Sequence, residues 1–156
     1  MADIVFNGAK GRVNELVRRV KNNDPANSAI IVVALKATGL EADAVLRDYT
    51  DLAALLAAAN DEATNVNYAR KVLTDVELTA PTPDQVNDRQ DADTPDLVWT
   101  AVAATGGAWA KLLFCYDNDT TAGTDANIEP LTAHDFAVTP DGTDITAAVA
   151  SFYRAS

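Results

Sequence analysis

The sequence predicts a single α+β domain, mostly antiparallel β, with two helices at about residues 9–22 and 51–59. Two patterns lead to this prediction: short β-branched or aromatic runs, which are typical of strands, and two segments with helical spacing or composition. The chain has 156 residues, of which 48% are hydrophobic, so it is long enough for one domain with its own core. No internal repeat or clear linker divides the chain.

A short apolar segment, residues 4–6, opens the chain and is interpreted as an edge strand. The first helix is predicted next because Val13, Leu16, Val17 and Val20 recur at three- and four-residue steps and so share one face. Two asparagines, Asp24 and a proline then end the helix, because asparagine tolerates a left-handed cap and proline cannot continue a helix.

The other face of this first helix is basic. Five of the twelve basic residues fall between Lys10 and Lys21, and Glu15 precedes Arg19 by the four residues that favour an ion pair. Two interpretations remain open: a solvated amphipathic helix, or a docking element for an acidic neighbour. Under the second, the candidate interface residues are Arg12, Arg18 and Arg19.

A continuous β-branched run at 29–35 predicts a central strand that is covered on both faces. Residues 44–49 are ambiguous. A second helix is predicted at 51–59, since Thr50 or Asp51 can cap its start, its interior is leucine and alanine, and Asn60 is a natural stop. Residues 68–78 return to strand character.

Two hairpins are predicted in the second half of the chain. The strand at 97–102 and the run at 110–116 flank a Thr-Gly-Gly turn, which would bring Trp99 and Trp109 close together. Farther along, a strand at 136–138 and residues 145–149 flank a Thr-Pro-Asp-Gly turn, which predicts the second hairpin.

The segment from Pro81 to Asp96 differs in composition from the rest of the chain. It holds three prolines and many carboxylates, and almost nothing apolar, so no compact element is predicted there. Two interpretations stay open: an extended arm that lies along a partner, or a mobile surface loop. Under the first, the candidate interface residues are Asp88, Asp91 and Asp93.

The formal net charge of −11 and the pI of about 4.3 disfavour binding to nucleic acid or to anionic membranes, because phosphates repel an acidic chain. No apolar run approaches the ~20 residues that span a bilayer, and no signal peptide is recognised. The single cysteine, Cys115, lies within a predicted strand and is interpreted as a small buried hydrophobe. These features are typical of a cytosolic protein.

No catalytic set is recognised in the sequence. His134 is the only histidine, which disfavours the common multi-histidine metal sites, and no local motif marks a serine or cysteine nucleophile beside it. Phosphate-binding glycine motifs are absent from the sequence. We therefore expect neither enzymatic activity nor a cofactor.

Residues 117–129 form an acidic loop after the apolar run at 110–116. Its carboxylates are hard oxygen ligands of the kind that calcium prefers, although Gly123 and Glu129 each stand one place late for an EF-hand. The alternative, which we favour, is a loop whose Asp and Thr side chains bond to its own backbone. The weak candidate metal ligands are Asp117, Asp119, Asp125 and Glu129.

Three segments carry a resemblance to a known family: Asp-Pro-Ala-Asn-Ser-Ala at 24–29, Ala-Thr-Asn to Tyr-Ala-Arg-Lys at 63–71, and Tyr-Asp-Asn-Asp-Thr-Thr to Pro-Leu-Thr-Ala-His-Asp-Phe at 116–136. They resemble small structural proteins of tailed bacteriophages, chiefly those that infect actinobacteria. The similarity runs over nearly the whole chain and is closest from Pro95 onward. This family has no active-site motif, so the resemblance implies no catalytic residue.

The resemblance implies a virion component, a capsid decoration or accessory head protein assembled in the host cytoplasm. Its partners would be the major capsid protein or other virion subunits, including further copies of itself, and neither nucleic acid nor a membrane. The net charge favours the external face of the capsid, because packaged DNA would repel it inside. A tail or head–tail connector protein, and a cation-binding module that uses the 117–129 loop, remain open alternatives.

Overall fold

Five antiparallel strands form the central sheet of the computed structural model, which describes residues 3–156. In spatial order they are β1 (Ile4–Val5), β8 (Ile128–Val138), β7 (Trp109–Asp117), β2 (Ala29–Lys36) and β3 (Lys71–Leu73). β2 and β7 are paired over most of their length and almost every residue in them is buried. The covered strand at 29–35, the edge strand at the N-terminus and the burial of Cys115 are therefore confirmed.

Five shorter strands complete the β structure. A three-stranded sheet contains β10 (Tyr153–Ala155), β5 (Arg89–Ala92) and β4 (Pro83–Asp84), in that spatial order. A two-stranded sheet pairs β6 (Leu97–Trp99) with β9 (Ile145–Ala147). The pairs are antiparallel in both sheets, so the predicted α+β fold class is confirmed.

Three α-helices lie between the strands: α1 (Val13–Lys21), α2 (Asp43–Leu46) and α3 (Leu52–Ala57). α1 begins later than predicted, because Gly11 has a φ of 77° that interrupts the helical path after a 3₁₀ turn at Asn7–Ala9. All four apolar residues of its predicted face are buried. The chain leaves α1 through Asn23, whose φ of 52° is the predicted left-handed conformation.

α3 begins where its sequence predicts. The Asp51 carboxylate accepts a hydrogen bond of 2.8 Å from the Ala54 N–H and so caps the first turn. α2 accounts for the ambiguous segment at 44–49, because it is a single helical turn that buries Leu46. Asn60 is fully buried after α3, and its side-chain amide donates to the Leu55 carbonyl.

Both predicted hairpins are wrong, because β6 and β9 pair with each other instead. In that pairing Leu97 lies opposite Ala147 and Trp99 opposite Ile145; these four side chains are buried, whereas Val98 is exposed. The two strands thus present one apolar face to the core. This shared burial favours the β6–β9 pair more than the short connecting turns favour the predicted hairpins. The expected proximity of Trp99 and Trp109 is still confirmed, with ring centroids 5.3 Å apart.

The predicted strand at 68–78 is confirmed only over β3. A turn follows, in which the Glu77 carboxylate accepts hydrogen bonds from the N–H and hydroxyl of Thr74, 2.8 and 2.7 Å long. The strand prediction failed here because these local side-chain bonds offer the backbone an alternative to the sheet.

The prediction that the 81–96 segment forms no compact element is also wrong, since β4 and β5 form a hairpin within it. The Asp84 carboxylate accepts from the N–H groups of Val86 and Asn87 and so shapes the turn. Composition could not reveal this hairpin, because the third strand of its sheet, β10, comes from the C-terminus.

Neighbouring residues of β7 project to opposite faces of the central sheet. Lys111 contacts Asp43, which places α2 on one face, and Phe114 stacks on Phe152, which places the C-terminal segment on the other. Asn65 packs so close to Gly106 that an added Cβ would lie 2.7 Å from its backbone nitrogen, so only glycine fits there.

Candidate functional site

The side chain of Arg70, just before β3, lies between two carboxylates. Its guanidinium donates to Glu62 and to Asp125, with shortest N–O distances of 2.6 Å to each. These hydrogen bonds raise the pKa of Arg70 and lower the pKa of Asp125. Arg70 therefore fixes the position of the 117–129 loop against the edge of the sheet.

Tyr68 extends this polar cluster into the core. Its hydroxyl donates to Glu62 over 2.9 Å and accepts the Ala34 N–H of β2 over 3.0 Å. Burial, together with the nearby Glu62 carboxylate, raises the pKa of Tyr68, so the phenol stays neutral and keeps donating. The cluster thus ties an outer segment of the chain to a central strand.

The 117–129 loop is also bound to the turn after α1. The backbone N–H and the hydroxyl of Thr120 both donate to the Asn27 carbonyl, each over 3.0 Å. Asn27 has a φ of 65°, and its own N–H donates to the Asn23 side chain. Residues of three segments, 24–29, 63–71 and 116–136, therefore meet around this loop.

The four candidate metal ligands point to different partners. Asp117 accepts the Asp119 N–H, and Asp119 accepts the N–H and hydroxyl of Thr121, which lower the pKa of Asp119. Asp125 binds Arg70, as described above, and Glu129 lies 3.1 Å from Arg12. Within residues 3–156, no group of three or more His, Cys, Asp and Glu side chains is placed to hold a metal ion.

His134 lies on β8 between Asp3 and Thr132. Its Nδ1 is 3.3 Å from an Asp3 carboxylate oxygen, and its Nε2 is 3.0 Å from the Thr132 hydroxyl. This order resembles a catalytic triad, but Thr132 is only 1% exposed in the middle of a strand. Thr132 nevertheless lines the same cleft as Asp3 and His134. The contacts of His134 link the segment before β1 to β8.

Cys115 offers no alternative nucleophile. The thiol is fully buried in β7, and that burial raises its pKa, so the reactive thiolate does not form under ordinary conditions.

The three candidate interface arginines of α1 are all engaged within the chain. Arg12 pairs with Glu129 and Arg19 with Glu15, the latter being the predicted four-residue ion pair. Arg18 donates to the Pro81 carbonyl over 3.0 Å. Arg12 and Arg19 keep side chains that are 51% and 53% exposed, so both can still meet a partner.

The three candidate interface aspartates lie on the β4–β5 hairpin or just after it. Asp91 pairs with Arg89 and Arg154, and the pairing with Arg154 is the main cause that lowers its pKa. Asp88 is exposed in the hairpin turn with a φ of 50°, and Asp93 accepts the Thr94 N–H. Asp88 and Asp93 are therefore the more accessible two.

Sequence reasoning missed a buried cation. Lys111 is 5% exposed and contacts the carboxylates of Asp43 and Asp135. Burial alone would lower its pKa, but the hydrogen bonds that Lys111 donates to the two carboxylates raise it. The signal in the sequence was a lysine inside an otherwise apolar strand, because a buried lysine is tolerated only when its charge is paired.

Most basic side chains are used within the chain. Ten of the twelve contact an internal acceptor: six pair with carboxylates and four donate to backbone carbonyls. Since the chain has 23 carboxylates, the surface offered to partners is dominated by negative charge. Among residues 3–156, no helix is long and apolar enough to cross a membrane.

No family model, curated protein or solved structure matches this chain.

Proposed function

We propose that this chain is a structural protein of a tailed-bacteriophage virion, a capsid decoration or accessory head protein that binds the outer surface of the shell. The observation that carries the proposal is the meeting of the three family-like segments around the 117–129 loop. Asn27 binds Thr120, and Arg70 binds Asp125, so residues from all three segments hold one another in place. Their polar side chains serve the architecture of the domain, as expected of a structural subunit.

The polar groups most suited to chemistry also fit a structural role. Thr132 is buried beside His134, and Cys115 is buried in the central sheet. Two carboxylates of the acidic loop form ion pairs, Glu129 with Arg12 and Asp125 with Arg70. The Asp119 carboxylate bonds within a local turn. Such an arrangement supports a subunit that acts through its surface.

The charge distribution favours the outer surface. With a net charge of −11 and most cations engaged internally, the subunit would be repelled by the phosphates that line the inner wall of a filled capsid. On the outside, the same charge helps to keep particles apart. Docking on the shell would use the N-terminal region, where Arg12 and Arg19 remain half exposed.

Labelling of intact particles tests this proposal. We expect the protein to copurify with virions at a fixed copy number, and to react with a membrane-impermeant biotin reagent or an antibody before the heads are opened. Labelling only after opening would place the protein inside and contradict the charge argument. Absence from purified virions would contradict the virion assignment itself.

A further inference from the structure

The C-terminal strand β10 completes a sheet that is built from a distant part of the chain. It pairs with β5 at three positions, with Arg154 opposite Asp91. The Arg154 guanidinium donates to both carboxylate oxygens of Asp91, over 2.8 and 3.1 Å. These contacts join residues that are 63 positions apart, so the strand is added to the β4–β5 hairpin from outside.

Phe152 anchors this strand in the core. It is 2% exposed, and its ring stacks on Phe114 with centroids 4.6 Å apart and planes 7° from parallel. Its N–H donates to the Ala92 carbonyl of β5 over 3.0 Å. Phe152 and β10 together form a terminal unit, residues 152–155. It occupies a groove formed by β5 and Phe114.

The connection to this unit is loose. Residues 148–151 adopt neither helix nor strand; Ala148 and Ala150 are exposed, and the Val149 N–H donates to the Asp96 side chain. Clefts of about 270 and 190 Å³ flank Phe152, and both are lined by His134 and Ser151. Departure of the terminal unit would leave the strand pairs of the central sheet intact but would uncover Phe114, so the Phe152 of another copy would have to take its place.

The β4–β5 hairpin needs a third strand, but its contacts do not distinguish a strand of the same chain from the same strand of another copy. Its strands bury little apolar surface beyond Ala92, which is too little for a two-stranded hairpin to be stable alone. The backbone groups of β5 and the carboxylate of Asp91 would accept the same strand from another copy of the chain.

We propose that neighbouring copies of this protein exchange β10, so that residues 152–155 of one copy occupy the groove of the next. Each contact made within one copy can be made between copies, so exchange costs little beyond association. The four-residue connection spans at most about 14 Å, so exchange requires neighbours that approach at this sheet. Because the net charge of −11 opposes that approach, exchange should increase with protein concentration and ionic strength.

Disulfide trapping with full-length protein tests the exchange. Asp91→Cys and Arg154→Cys chains are mixed at high concentration and in 0.5 M salt, about three times a physiological ionic strength, then oxidised. The two positions lie directly opposite in the strand pair, within the span of a disulfide. We expect at least about tenfold more mixed cross-linked dimer than in the control, because exchange holds the two thiols together.

The control mixes Val98→Cys with Arg154→Cys, since Val98 is exposed on another sheet. The buried Cys115 remains in every variant. Gln90→Cys with Ala155→Cys, the next opposed pair, serves as a second test in case loss of the Asp91 pair weakens the strand. Cross-linking of both pairs at the control level would overturn the proposal. The virion assignment would be unaffected, because particle labelling does not depend on exchange.

Discussion

Arg70 and Asp125 form a two-bond ion pair, with Nη1–Oδ1 and Nη2–Oδ2 distances of 2.6 and 2.9 Å. The pair connects the start of β3 to the end of the acidic loop, and its arginine also binds Glu62. The side chains are 22–35% exposed, so the charges are only partly screened by water. This cluster holds the loop as part of the folded body.

Replacing Arg70 with glutamine should destabilise the protein by about 1–3 kcal/mol, because Glu62 and Asp125 would lose their cation while still partly buried. Urea unfolding followed by tryptophan fluorescence measures the change. Arg19→Gln is the matched control, since it breaks an exposed ion pair and should cost less than about 0.5 kcal/mol. Equal effects of the two substitutions would contradict the assigned role.

The Arg70 effect should also depend on pH. Arg70 lowers the folded-state pKa of Asp125 below its unfolded value of about 3.9. The stabilisation is therefore complete above about pH 4 and is lost as the pH falls through the folded-state pKa. We expect the stability difference between the native protein and Arg70→Gln to shrink in acid. A constant difference from pH 7 to pH 3 would contradict this linkage.

The elements that could be predicted from sequence are those specified by neighbouring residues. The face of α1 from Val13 to Val20, the Asp51 cap and the buried run of β2 each depend on local spacing or composition. The failed predictions concern strands whose partners lie far away in the chain. β9 pairs with β6 because their buried faces match, and β5 pairs with β10 through backbone bonds and the Asp91–Arg154 ion pair. Neither match can be read from residues that are neighbours in the sequence.

The contacts of the candidate site likewise divide into those that could be predicted from the sequence and those that could not. In the Asp117–Asp119 and Asp119–Thr121 turns an Asp side chain accepts the N–H two residues later, as the sequence indicates. The partners of Arg70 and Lys111 could not be predicted, because Asp125 and Asp135 are among many carboxylates that could have been chosen. The choice of Asp135 requires the register of β7 and β8, and the choice of Asp125 requires the loop to lie against the segment before β3. Only the fold provides both.

Calcium or a chelator should leave the thermal stability unchanged. The carboxylates of the 117–129 loop are bonded separately to Arg12, Arg70 and local turn residues, so they do not converge on one point. Differential scanning fluorimetry measures this, either with EDTA or with about 5 mM calcium, which exceeds the dissociation constants of roughly 0.1–1 mM of the weakest extracellular sites. A rise in Tm with calcium that Asp119→Asn abolishes would show a cation site that the geometry does not support.

Leu16→Ala should cost roughly 2–4 kcal/mol, because Leu16 is 2% exposed and its truncation leaves a cavity beneath α1. The urea midpoint measures the loss. Val86→Ala, which removes methyl groups from a side chain that is 90% exposed, is the control and should have little effect. An unchanged midpoint for Leu16→Ala would mean that the helix does not belong to the core.

Limited proteolysis should separate the turn of the β4–β5 hairpin from its strands. A protease that cleaves after acidic residues should cut first at the exposed Asp88, while Asp91 is protected within β5. Arg154→Ala removes the ion pair that holds β10 and should expose Asp91 to faster cleavage. Mass spectrometry of early products identifies the sites. Cleavage at both aspartates at the same rate in the native protein would contradict the observed strand pairing.

The exposed arginines of α1 provide the last prediction, which concerns docking on a virion. Arg12→Gln/Arg19→Gln removes two half-exposed charges and leaves the bond from Arg18 to Pro81 intact. If these side chains meet an acidic neighbour, each contributes up to about 1 kcal/mol, so together the substitutions should weaken binding by roughly 5- to 30-fold. The measurement is the copy number of the variant per purified particle over a range of salt concentrations.

Lys36→Gln/Arg47→Gln is the charge-matched control for that experiment, because it removes two positive charges that are not on α1. The α1 variant should be lost from particles at a lower salt concentration than either the native protein or this control, since its contact would depend on charge. Equal incorporation and equal salt sensitivity of the two variants would show that α1 is a solvated helix and that docking uses another surface.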